Sequence, residues 1–417
     1  MTSSLLRKIL PAIAPAASHL PAAARAVAAM LEKMTVGSLS LQWPDGRIVH
    51  YGAARAADGG AGQPSAVMHL HDWRVCGRVL RAGDIGLAEA YFDKEWSTPH
   101  LTDLIGLFVA NRHSLERAIH GHWAGGLMYR LRHWLRRNTR ANSRKNIHAH
   151  YDLGNGFYRL WLDETMNYSS AWFDQGPNQD LVTAQIAKMR RTLRMAGVQP
   201  GHRVLEIGCG WGALAEEATC EFGAHVTGVT LSTEQLEYAQ ARLRSLGVGD
   251  RADLRLQDYR DIADAPFDAI CSIEMVEAVG QQYWPAYFET VHRLLKSGGR
   301  ACIQSIVIGD DLFEQYSRST DFIQQYIFPG GCLPSPRAFR EQARAAGLTI
   351  VDEFAFGPDY AITCQRWREA FRQKKAQVMQ AGFDERFTLI WDFYLSYCEA
   401  GFAMGDINVV QFTLQKP

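Results

Sequence analysis

The sequence predicts an α/β protein in which a Rossmann-like seven-stranded sheet with helical insertions follows a small N-terminal α/β domain. Three observations support this prediction. The chain has 417 residues, which exceeds the size that one hydrophobic core usually serves. From residue 148 onwards, apolar strand-like segments alternate with helical patterns. The first of these strands, 203–207, leads into a glycine-rich turn, 208–212, at the start of a helix.

Changes in composition divide the chain into four predicted segments. Residues 1–33 are rich in Ala and Pro, and we expect a flexible or weakly amphipathic arm, with a membrane-lying helix near 22–34 as an alternative. Prolines interrupt its apolar runs, so neither a signal peptide nor a transmembrane helix is predicted. Residues 34–125 are the predicted N-terminal domain, 126–147 a basic amphipathic linker and 148–417 the domain of the large sheet.

The N-terminal domain is predicted from a hairpin pattern. Residues 37–43 alternate in polarity, Pro44-Asp45-Gly46 is a turn, and 47–51 returns as the partner strand. A strand at 67–70 and a short helix at 84–91 complete the predicted domain.

The predicted linker lies within a strongly basic region. Residues 112–145 carry nine Lys or Arg and a single acidic residue, Glu116, with apolar side chains recurring at helical spacing. Such a helix could rest on anionic lipid headgroups, or it could be a solvated linker with one packed face. The sequence favours neither interpretation.

The composition excludes several classes of function. Lys plus Arg and Asp plus Glu are equal at 44 each, so nothing in the global charge indicates a nucleic-acid partner. The eight cysteines are scattered without a CxxC pair, so we expect neither a metal site nor a disulfide framework. A reduced, cytoplasmic compartment is therefore predicted.

The large domain is predicted to contain seven strands. A helical insertion at 311–328 follows the fifth strand, and a long helical segment at 365–403 separates the last two. Helices are also expected at 233–246 and 285–295. The predicted strands are 203–207, 225–231, 253–257, 267–273, 300–308, 349–356 and 409–415.

The ends of the first two strands indicate the cofactor. Dinucleotide-binding folds place Asp or Glu about 20 residues after the glycines, to hold the ribose hydroxyls. Here the second strand ends at Thr230, followed by Ser232 and Gln235, and the glycines lack the GxGxxG spacing. Glu206, just before the first glycine, instead suits a ligand with an ammonium and a sulfonium group, which is S-adenosylmethionine.

The predicted cofactor contacts follow from this choice. Glu206, Gly208 and Gly210 should hold the methionine part, and Thr230, Ser232 and Gln235 the ribose region. Gln257 or Asp258, at the end of the third strand, should accept from the adenine amine, although Asp258 could instead cap the next turn. The complete predicted set is Tyr168, Ser169, Glu206, Gly208, Gly210, Gly212, Thr230, Ser232, Gln235, Gln257, Asp258 and Glu274.

The fourth strand ends in two carboxylates, Glu274 and Glu277. A carboxylate near a sulfonium or a developing carbocation stabilises the charge directly, and we expect Glu277 to have this role, with helix capping as the alternative. Aromatic residues cluster at 157–173 and 322–328. They could wall an apolar tunnel and stabilise a cation by their π faces, or they could be part of the hydrophobic core.

Seven motifs occur in order along the chain: HYDLGNGFYRLWLDETMNYSSAWF, VLEIGCGWGALA, VTGVTLSTEQ, LQDYRD, EMVEAVG, YIFPGGCLPS and GFAMGDINVVQF. Together they resemble the motifs of the cyclopropane-fatty-acyl-phospholipid synthases, including the mycolic acid methyltransferases. The resemblance covers about 145 to the end, and 77–104 looks like the lipid-contacting N-terminal domain of the bacterial phospholipid enzymes. It implies a class I methyltransferase fold and methyl transfer from S-adenosylmethionine to a cis double bond of phospholipid acyl chains, giving cyclopropane fatty acids.

The resemblance also implies a catalytic set. In cyclising members a bicarbonate, held by a Cys, a Glu, a His, a Tyr and a backbone group, removes a proton from the new methyl. The Glu, the Tyr and the backbone group match Glu277, Tyr360 and Ile306, but Ser170 stands at the Cys position and Gln304 at the His position. Ser and Gln can still hydrogen-bond an anion, but the His charge is lost. Methyl transfer without ring closure, giving a methylene- or methyl-branched chain, is therefore the alternative.

The resemblance implies partners as well. We expect a peripheral enzyme at the inner face of the membrane, acting on unsaturated phospholipid at an anionic surface, and a homodimer as in relatives. Two other hypotheses remain at this point: a methyltransferase for a soluble small molecule, and a catalytically silent lipid-binding protein.

Overall fold

The computed structural model describes residues 20–52, 64–119 and 153–417. The predicted basic linker, 126–147, and most of the predicted arm lie outside the described residues. The described chain comprises a four-stranded sheet with its helices, called here the N-terminal module (20–52 and 64–119), and a seven-stranded sheet flanked by helices.

The sheet of the N-terminal module has the order β2-β1-β3-β4. Strands β1 and β2 form the predicted hairpin around a turn at Gly46, and β1 pairs in parallel with β3. Alternate residues of β1 are buried, as the polarity pattern predicts for a sheet with one covered face. The strands are β1 (Ser38–Gln42), β2 (Ile48–Gly52), β3 (Ser65–Leu70) and β4 (Trp96–Ser97).

The helices of the module differ from the prediction in two places. Residues Ala22–Leu31, predicted as part of a flexible or membrane-lying arm, form a helix that buries Ala24, Met30 and Leu31 in the protein core. The helix predicted at 84–91 is the second half of a longer one that breaks at Gly83, where φ is 55°. The four helices are α1 (Ala22–Leu31), α2 (Arg74–Phe92), α3 (Leu101–Ala110) and α4 (Arg112–Ile119).

The large sheet has all seven predicted strands, in the order β10-β11-β9-β8-β5-β6-β7. Strands β5 to β9 pair in parallel with one another, and β11 is antiparallel to both β9 and β10. The carboxyl ends of β5 to β8 therefore meet at one edge, where α/β folds bind ligands. The strands are β5 (Arg203–Ile207), β6 (His225–Thr230), β7 (Ala252–Leu256), β8 (Phe267–Ile273), β9 (Leu295–Ile308), β10 (Thr349–Ala355) and β11 (Ile407–Gln415).

Helices cover both faces of this sheet, and their apolar sides form two separate core clusters with it. The predicted insertion after β9 consists of two short helices, α11 (Phe313–Ser317) and α12 (Phe322–Tyr326). The helices are α5 (Asn155–Tyr158), α6 (Leu181–Met195), α7 (Ala213–Cys220), α8 (Thr233–Ser245), α9 (Val276–Val279), α10 (Trp284–Leu294), α11 (Phe313–Ser317), α12 (Phe322–Tyr326), α13 (Pro336–Ala345), α14 (Gly357–Gln373), α15 (Lys375–Gln380) and α16 (Glu385–Met404).

The segment between β10 and β11 joins the module to the large sheet. It was predicted as one helical stretch at 365–403, but the structure has three helices, with Gly382 (φ 99°) in the turn before α16. Helix α16 packs against α14 and against α2 and α3 of the module. The module and these helices share one continuous core. Within the described part of the chain, no helix combines the length and apolar character needed to cross a bilayer.

Candidate active site

The glycine turn after β5 forms the floor of a pocket. Gly208 and Gly210 have φ of 86° and 49°, values that side chains other than glycine rarely adopt. The amides of Gly208 and Cys209 both donate to Val229 O of β6, at 2.9 and 3.0 Å. The turn is thereby folded back onto the sheet, and α7 begins directly after it, with Ala213 and Leu214 of its first turn lining the pocket.

Most of the predicted cofactor residues line this pocket. The pocket extends from the turn across the ends of β6, β7 and β8 and is closed on one side by residues 166–169. Residues that the prediction did not include also line it, among them Met166, Asn167, Trp211 and Met275. The predicted residues that line it are Tyr168, Ser169, Glu206, Gly208, Gly210, Thr230, Gln235, Gln257, Asp258 and Glu274.

Two predicted residues, Gly212 and Ser232, do not line the pocket. Gly212 has φ of 83°, and a Cβ there would lie 2.9 Å from the Cβ of Ala239, so it allows α7 to pack closely on α8. Ser232 caps α8 by accepting from the Gln235 amide at 3.3 Å. Both positions shape the pocket from outside because they fix helices that border it.

At the adenine end of the predicted site, Asp258 has the capping role that was the alternative interpretation. Its carboxylate accepts from the Arg260 amide at 3.0 Å and pairs with the Arg260 guanidinium at 2.5 Å. Gln257 donates to Asp261 O at 2.9 Å, which leaves its side-chain oxygen as an acceptor. Gln257 is therefore the better placed of the two to accept from an adenine amine.

Glu206 is a buried carboxylate at the centre of the pocket. Its side chain is only 4% exposed, and its Oε2 has no hydrogen-bond partner within the described residues. Burial raises the pKa of Glu206 to about 8, although the nearby Lys188 acts in the opposite direction. A ligand ammonium group would supply the missing donors, so this residue fits the amino-acid end of S-adenosylmethionine.

Glu274 is held by three hydrogen-bond donors. Its Oε2 accepts from the Tyr360 hydroxyl at 2.7 Å, and its Oε1 accepts from Gln304 Nε2 at 2.8 Å and from the Ser170 amide at 2.9 Å. Its backbone has φ of 51°, which is strained for a residue other than glycine. Burial raises the pKa of Glu274, while Lys188 and the three donors oppose this shift.

This arrangement differs from the predicted one. Ser170, Gln304 and Tyr360 were expected to surround a bound base beside Glu277, but they surround the carboxylate of Glu274. The Ser170 hydroxyl takes no part, because it donates to Ala171 O at 2.9 Å. The sequence placed Glu274 among the cofactor contacts, and the structure shows that it borders both the pocket and this ring of donors.

Glu277 lies on the other side of Glu274, in the short helix α9. Its carboxylate accepts from the Ile306 amide, so these two groups, both expected to hold a bicarbonate, are bonded to each other. Burial, followed by the neighbouring charge of Glu274, raises the pKa of Glu277 to about 8. Glu277 is thus a buried acceptor behind the site and is not among the residues that line the pocket.

Lys188 is a site residue that sequence reasoning missed. It is fully buried in α6 and donates to the Ser169 hydroxyl at 2.6 Å. Burial lowers its pKa to about 8, while the charges of Glu274, Asp163 and Glu206 raise it. The available signal was a lysine in register with the buried face of α6, four residues from both Ala184 and Thr192.

The aromatic residues form a packed cluster beside the pocket. Phe157, Tyr158 and Trp161 are buried in the core, with ring centroids 5.3 to 5.9 Å apart. Tyr168 connects this cluster to the pocket, since it lines the pocket and its hydroxyl lies 2.7 Å from that of Tyr394. The core interpretation therefore holds for the first aromatic segment, and Tyr168 is its member at the site.

Comparisons with known proteins agree with this geometry. The model of the mycolic acid cyclopropane synthetase family matches residues 138–412. The tuberculostearic acid methyltransferase UfaA1 of Mycobacterium tuberculosis is 39% identical over 405 residues, which are 95% of this chain and 92% of that protein. The cyclopropane-fatty-acyl-phospholipid synthase of Escherichia coli is 35% identical over 354 residues, 81% of this chain and 85% of that protein.

A solved structure of a mycolic acid cyclopropane synthase is also similar to this chain. The crystal structure of mycolic acid cyclopropane synthase CmaA1, complexed with SAH and CTAB, superposes with a TM-score of 0.62 at 34% identity, covering 66% of this chain and 98% of that one. The seven-stranded domain accounts for the match to the family model, which begins beyond the N-terminal module. The chain therefore belongs to the mycolic acid cyclopropane synthetase family, a family of S-adenosylmethionine-dependent methyltransferases.

Proposed function

We propose that this enzyme methylates the cis double bond of an unsaturated phospholipid acyl chain and completes the reaction by proton loss, without closing a cyclopropane ring. One observation carries the proposal. The donors expected to hold a bicarbonate are instead bonded to the carboxylate of Glu274. A base that belongs to the protein thus takes the place of a bound one.

The pocket residues divide along the length of the cofactor. Glu206 binds the ammonium group, and the turn at Gly208 and Gly210 allows the methionine part to approach the backbone. Thr230 and Gln235, which are joined by a 3.0 Å hydrogen bond, face the ribose. Gln257 accepts from the adenine amine. When bound, S-adenosylmethionine supplies an electrophilic methyl group.

Glu274 is suited to the proton-transfer step. Addition of a methyl to one alkene carbon leaves a positive charge on the neighbouring carbon, and a carboxylate stabilises that charge. Glu274 then takes one proton, either from an adjacent chain carbon or, after a hydride shift, from the new branch. Its pKa, raised by burial, makes it a stronger proton acceptor than an exposed carboxylate. The product keeps one double bond and carries a methyl or methylene branch.

A bound bicarbonate would have to compete with Glu274 for the same donors. Ser170, Gln304 and Tyr360 each direct their hydrogen bond at a Glu274 oxygen, and Glu277 accepts from Ile306. A second anion beside two carboxylates would also be repelled. These contacts support the branched product over the cyclopropane product.

The lipid substrate is supported by the relatives and by the N-terminal module. UfaA1, whose match includes 95% of this chain, and the Escherichia coli enzyme are named for products on fatty acids or phospholipids. The module contacts the insertion, because Tyr326 of α12 donates to Glu89 of α2 at 2.7 Å and the Phe322 amide donates to Asp84 at 3.1 Å. In this proposal the module passes an acyl chain from a membrane surface towards the insertion.

We further propose that the enzyme works at the cytoplasmic face of the membrane as a peripheral homodimer. Sedimentation with vesicles tests the membrane part: we expect binding to phosphatidylglycerol vesicles and little binding to neutral phosphatidylcholine vesicles. Indifference to vesicle charge would favour the hypothesis of a soluble small-molecule substrate. Light scattering of the purified protein at several concentrations tests the dimer.

Product analysis tests the reaction. Purified enzyme, S-adenosylmethionine and vesicles with cis-monounsaturated acyl chains should give chains heavier by one CH2 unit. Mild catalytic hydrogenation should then add two hydrogens, because the product retains a double bond, whereas a cyclopropane would resist. A product that resists hydrogenation would show ring closure, and the absence of any methylated chain, with S-adenosylmethionine unspent, would favour a catalytically silent lipid-binding protein.

A further inference from the structure

A line of buried polar side chains lies behind Glu274 and crosses the large sheet. It runs from Arg191 in α6 to Gln411 in β11 and on to Gln304 in β9. We propose that Gln411, anchored by Arg191, is a positioning residue that fixes the direction of the Gln304 amide and so keeps Glu274 in its proton-accepting state. This inference rests on the proposed function, in which Glu274 is the base.

The contacts in this line are short and shielded from water. Gln411 and Gln304 are both fully buried and face each other across the β11–β9 pair. Arg191 donates to Gln411 Oε1 at 2.7 Å, Gln411 Nε2 donates to Gln304 Oε1 at 3.0 Å, and Gln304 Nε2 donates to Glu274 at 2.8 Å. Gln411 Nε2 also donates to Thr192 Oγ1 at 2.9 Å.

The chemistry of the first residue fixes the direction of all the others. An arginine has only donors, so the oxygen of Gln411 must face Arg191, and its NH2 group must face Gln304. The Gln304 oxygen then faces Gln411, and its NH2 group is left for Glu274. Each amide accepts a hydrogen bond through its oxygen and donates one through its NH2 group, so the arginine sets the orientation of both amides up to the carboxylate.

The arginine itself is held in place. Arg191 pairs with Asp352 of β10 at 2.9 Å, and its guanidinium lies 4.1 Å from the centre of the Phe354 ring. Its side chain is 13% exposed, so the anchor is largely shielded. The line therefore crosses three neighbouring strands, β10, β11 and β9, before it ends at the active site.

A reversed Gln304 amide would change the acid strength of Glu274. Its oxygen would face the carboxylate, which would lose a donor and gain a repulsive neighbour, so Glu274 would bind a proton more tightly. Other titratable groups around Glu274 also influence its pKa, and the effect of the reversed amide would add to theirs. They are Lys188 from α6, Glu277 from α9, Tyr360 and Cys364 from α14, and Cys398 from α16.

The experiment replaces Gln411 with methionine, which has a similar length but no amide. Infrared difference titration of the cofactor-free protein follows the carboxyl band of Glu274, assigned by its absence in Glu274→Gln. We expect Gln411→Met to raise the titration midpoint by about one pH unit, the effect of one lost hydrogen bond to a charged group. The acid limb of the pH profile of methyl transfer should move in the same direction by a similar amount.

Two further variants distinguish the loss of one hydrogen bond from a general loss of structure. Thr413→Val changes a fully buried polar residue on the same face of β11, outside the line, and should leave the midpoint unchanged. Arg191→Met removes the partly exposed anchor while both glutamines stay in the sequence, and it should give a smaller upward shift of the titration midpoint. If Gln411→Met does not fold, the Arg191 variant carries the test.

The outcomes separate this inference from the proposed function. Slower turnover with an unshifted midpoint in both the Gln411 and Arg191 variants would overturn the positioning role and leave Glu274 as the base. A shifted midpoint in both, with Thr413→Val unchanged, supports the role. If Glu274→Gln retains wild-type turnover, the proposed function fails first, whatever the midpoint of the other variants.

Discussion

Two buried carboxylates, Glu206 and Glu274, border the same pocket but differ in how many hydrogen bonds they accept. Within the described residues, one oxygen of Glu206 has no hydrogen-bond partner, whereas Glu274 receives three hydrogen bonds and has a strained backbone. A buried acid without donors is costly until a ligand supplies them, and an acid with donors on both oxygens is already oriented for chemistry. This difference is the basis on which the proposed function gives ligand binding to Glu206 and proton transfer to Glu274.

The largest expected effect comes from Glu274→Gln. The amide cannot take a proton, so methyl transfer should fall by about 100-fold or more, the usual contribution of a general base. Binding of S-adenosylmethionine, measured by calorimetry, should change little. Glu277→Gln is the matched control, because its amide oxygen can still accept from Ile306, and its turnover should stay within about tenfold of wild type. Equal losses in both variants would contradict the distinction between the two acids.

Glu274→Gly sharpens the same comparison. Glycine relieves the strain at φ 51° and leaves the donors of Ser170, Gln304 and Tyr360 around a small cavity. We expect low activity that added bicarbonate or formate restores in a concentration-dependent way. Titrating either anion into the methyl-transfer assay measures this, and rescue by neither would argue that the donors do not form an anion site.

Glu206→Gln should act on binding and on stability in opposite directions. The loss of the charge should weaken S-adenosylmethionine binding by about 10- to 100-fold. The pKa of Glu206 is about 8 in the folded protein and near 4.5 in the unfolded chain, so the wild type loses stability as pH rises between these values. The variant should therefore be more stable by roughly 4 kcal/mol at pH 8 and unchanged at pH 4. Calorimetry and urea unfolding at both pH values measure the two effects.

The smallest effect is expected at Gly212, outside the pocket. Gly212→Ala places a Cβ at φ 83° against Ala239, and we expect the free energy of unfolding to fall by about 2 kcal/mol while the folded enzyme binds its cofactor normally. Gly247→Ala is the control, because Gly247 has a similar φ of 72° with no atom near its added Cβ. A loss of affinity without a loss of stability would return Gly212 to the cofactor contacts.

The sequence predicted the strands of the large sheet more accurately than the identity of the proposed base. The strands and the turn at Gly208 follow from local patterns of apolar residues and glycines, which is why all seven strands were found. Glu274 and Glu277 are only three residues apart, and the positive φ that turns Glu274 towards Tyr360 leaves no mark in the sequence. The spacing of Lys188 on α6 indicated its burial, but the acids beside it are distant in sequence, so its place at the site follows only from the fold.

The line of hydrogen bonds through Gln411 could not be predicted from the sequence either, because it joins residues that are far apart in the chain. Its contacts depend on the register of β11 against β9, and on an arginine from a helix more than two hundred positions earlier. A helix near 22–34 was among the sequence alternatives, but its burial was not predicted, because this Ala-rich segment has few large apolar residues and its helix is fixed by packing on α2.

The dependence of wild-type turnover on bicarbonate tests the central claim most directly. Methyl transfer to unsaturated phospholipid is measured in buffer freed of carbon dioxide and again with bicarbonate added. If Glu274 is the resident base, the rate is the same in both buffers and the product takes up hydrogen. A rate that collapses without bicarbonate and returns with it, giving a product that resists hydrogenation, would contradict the account.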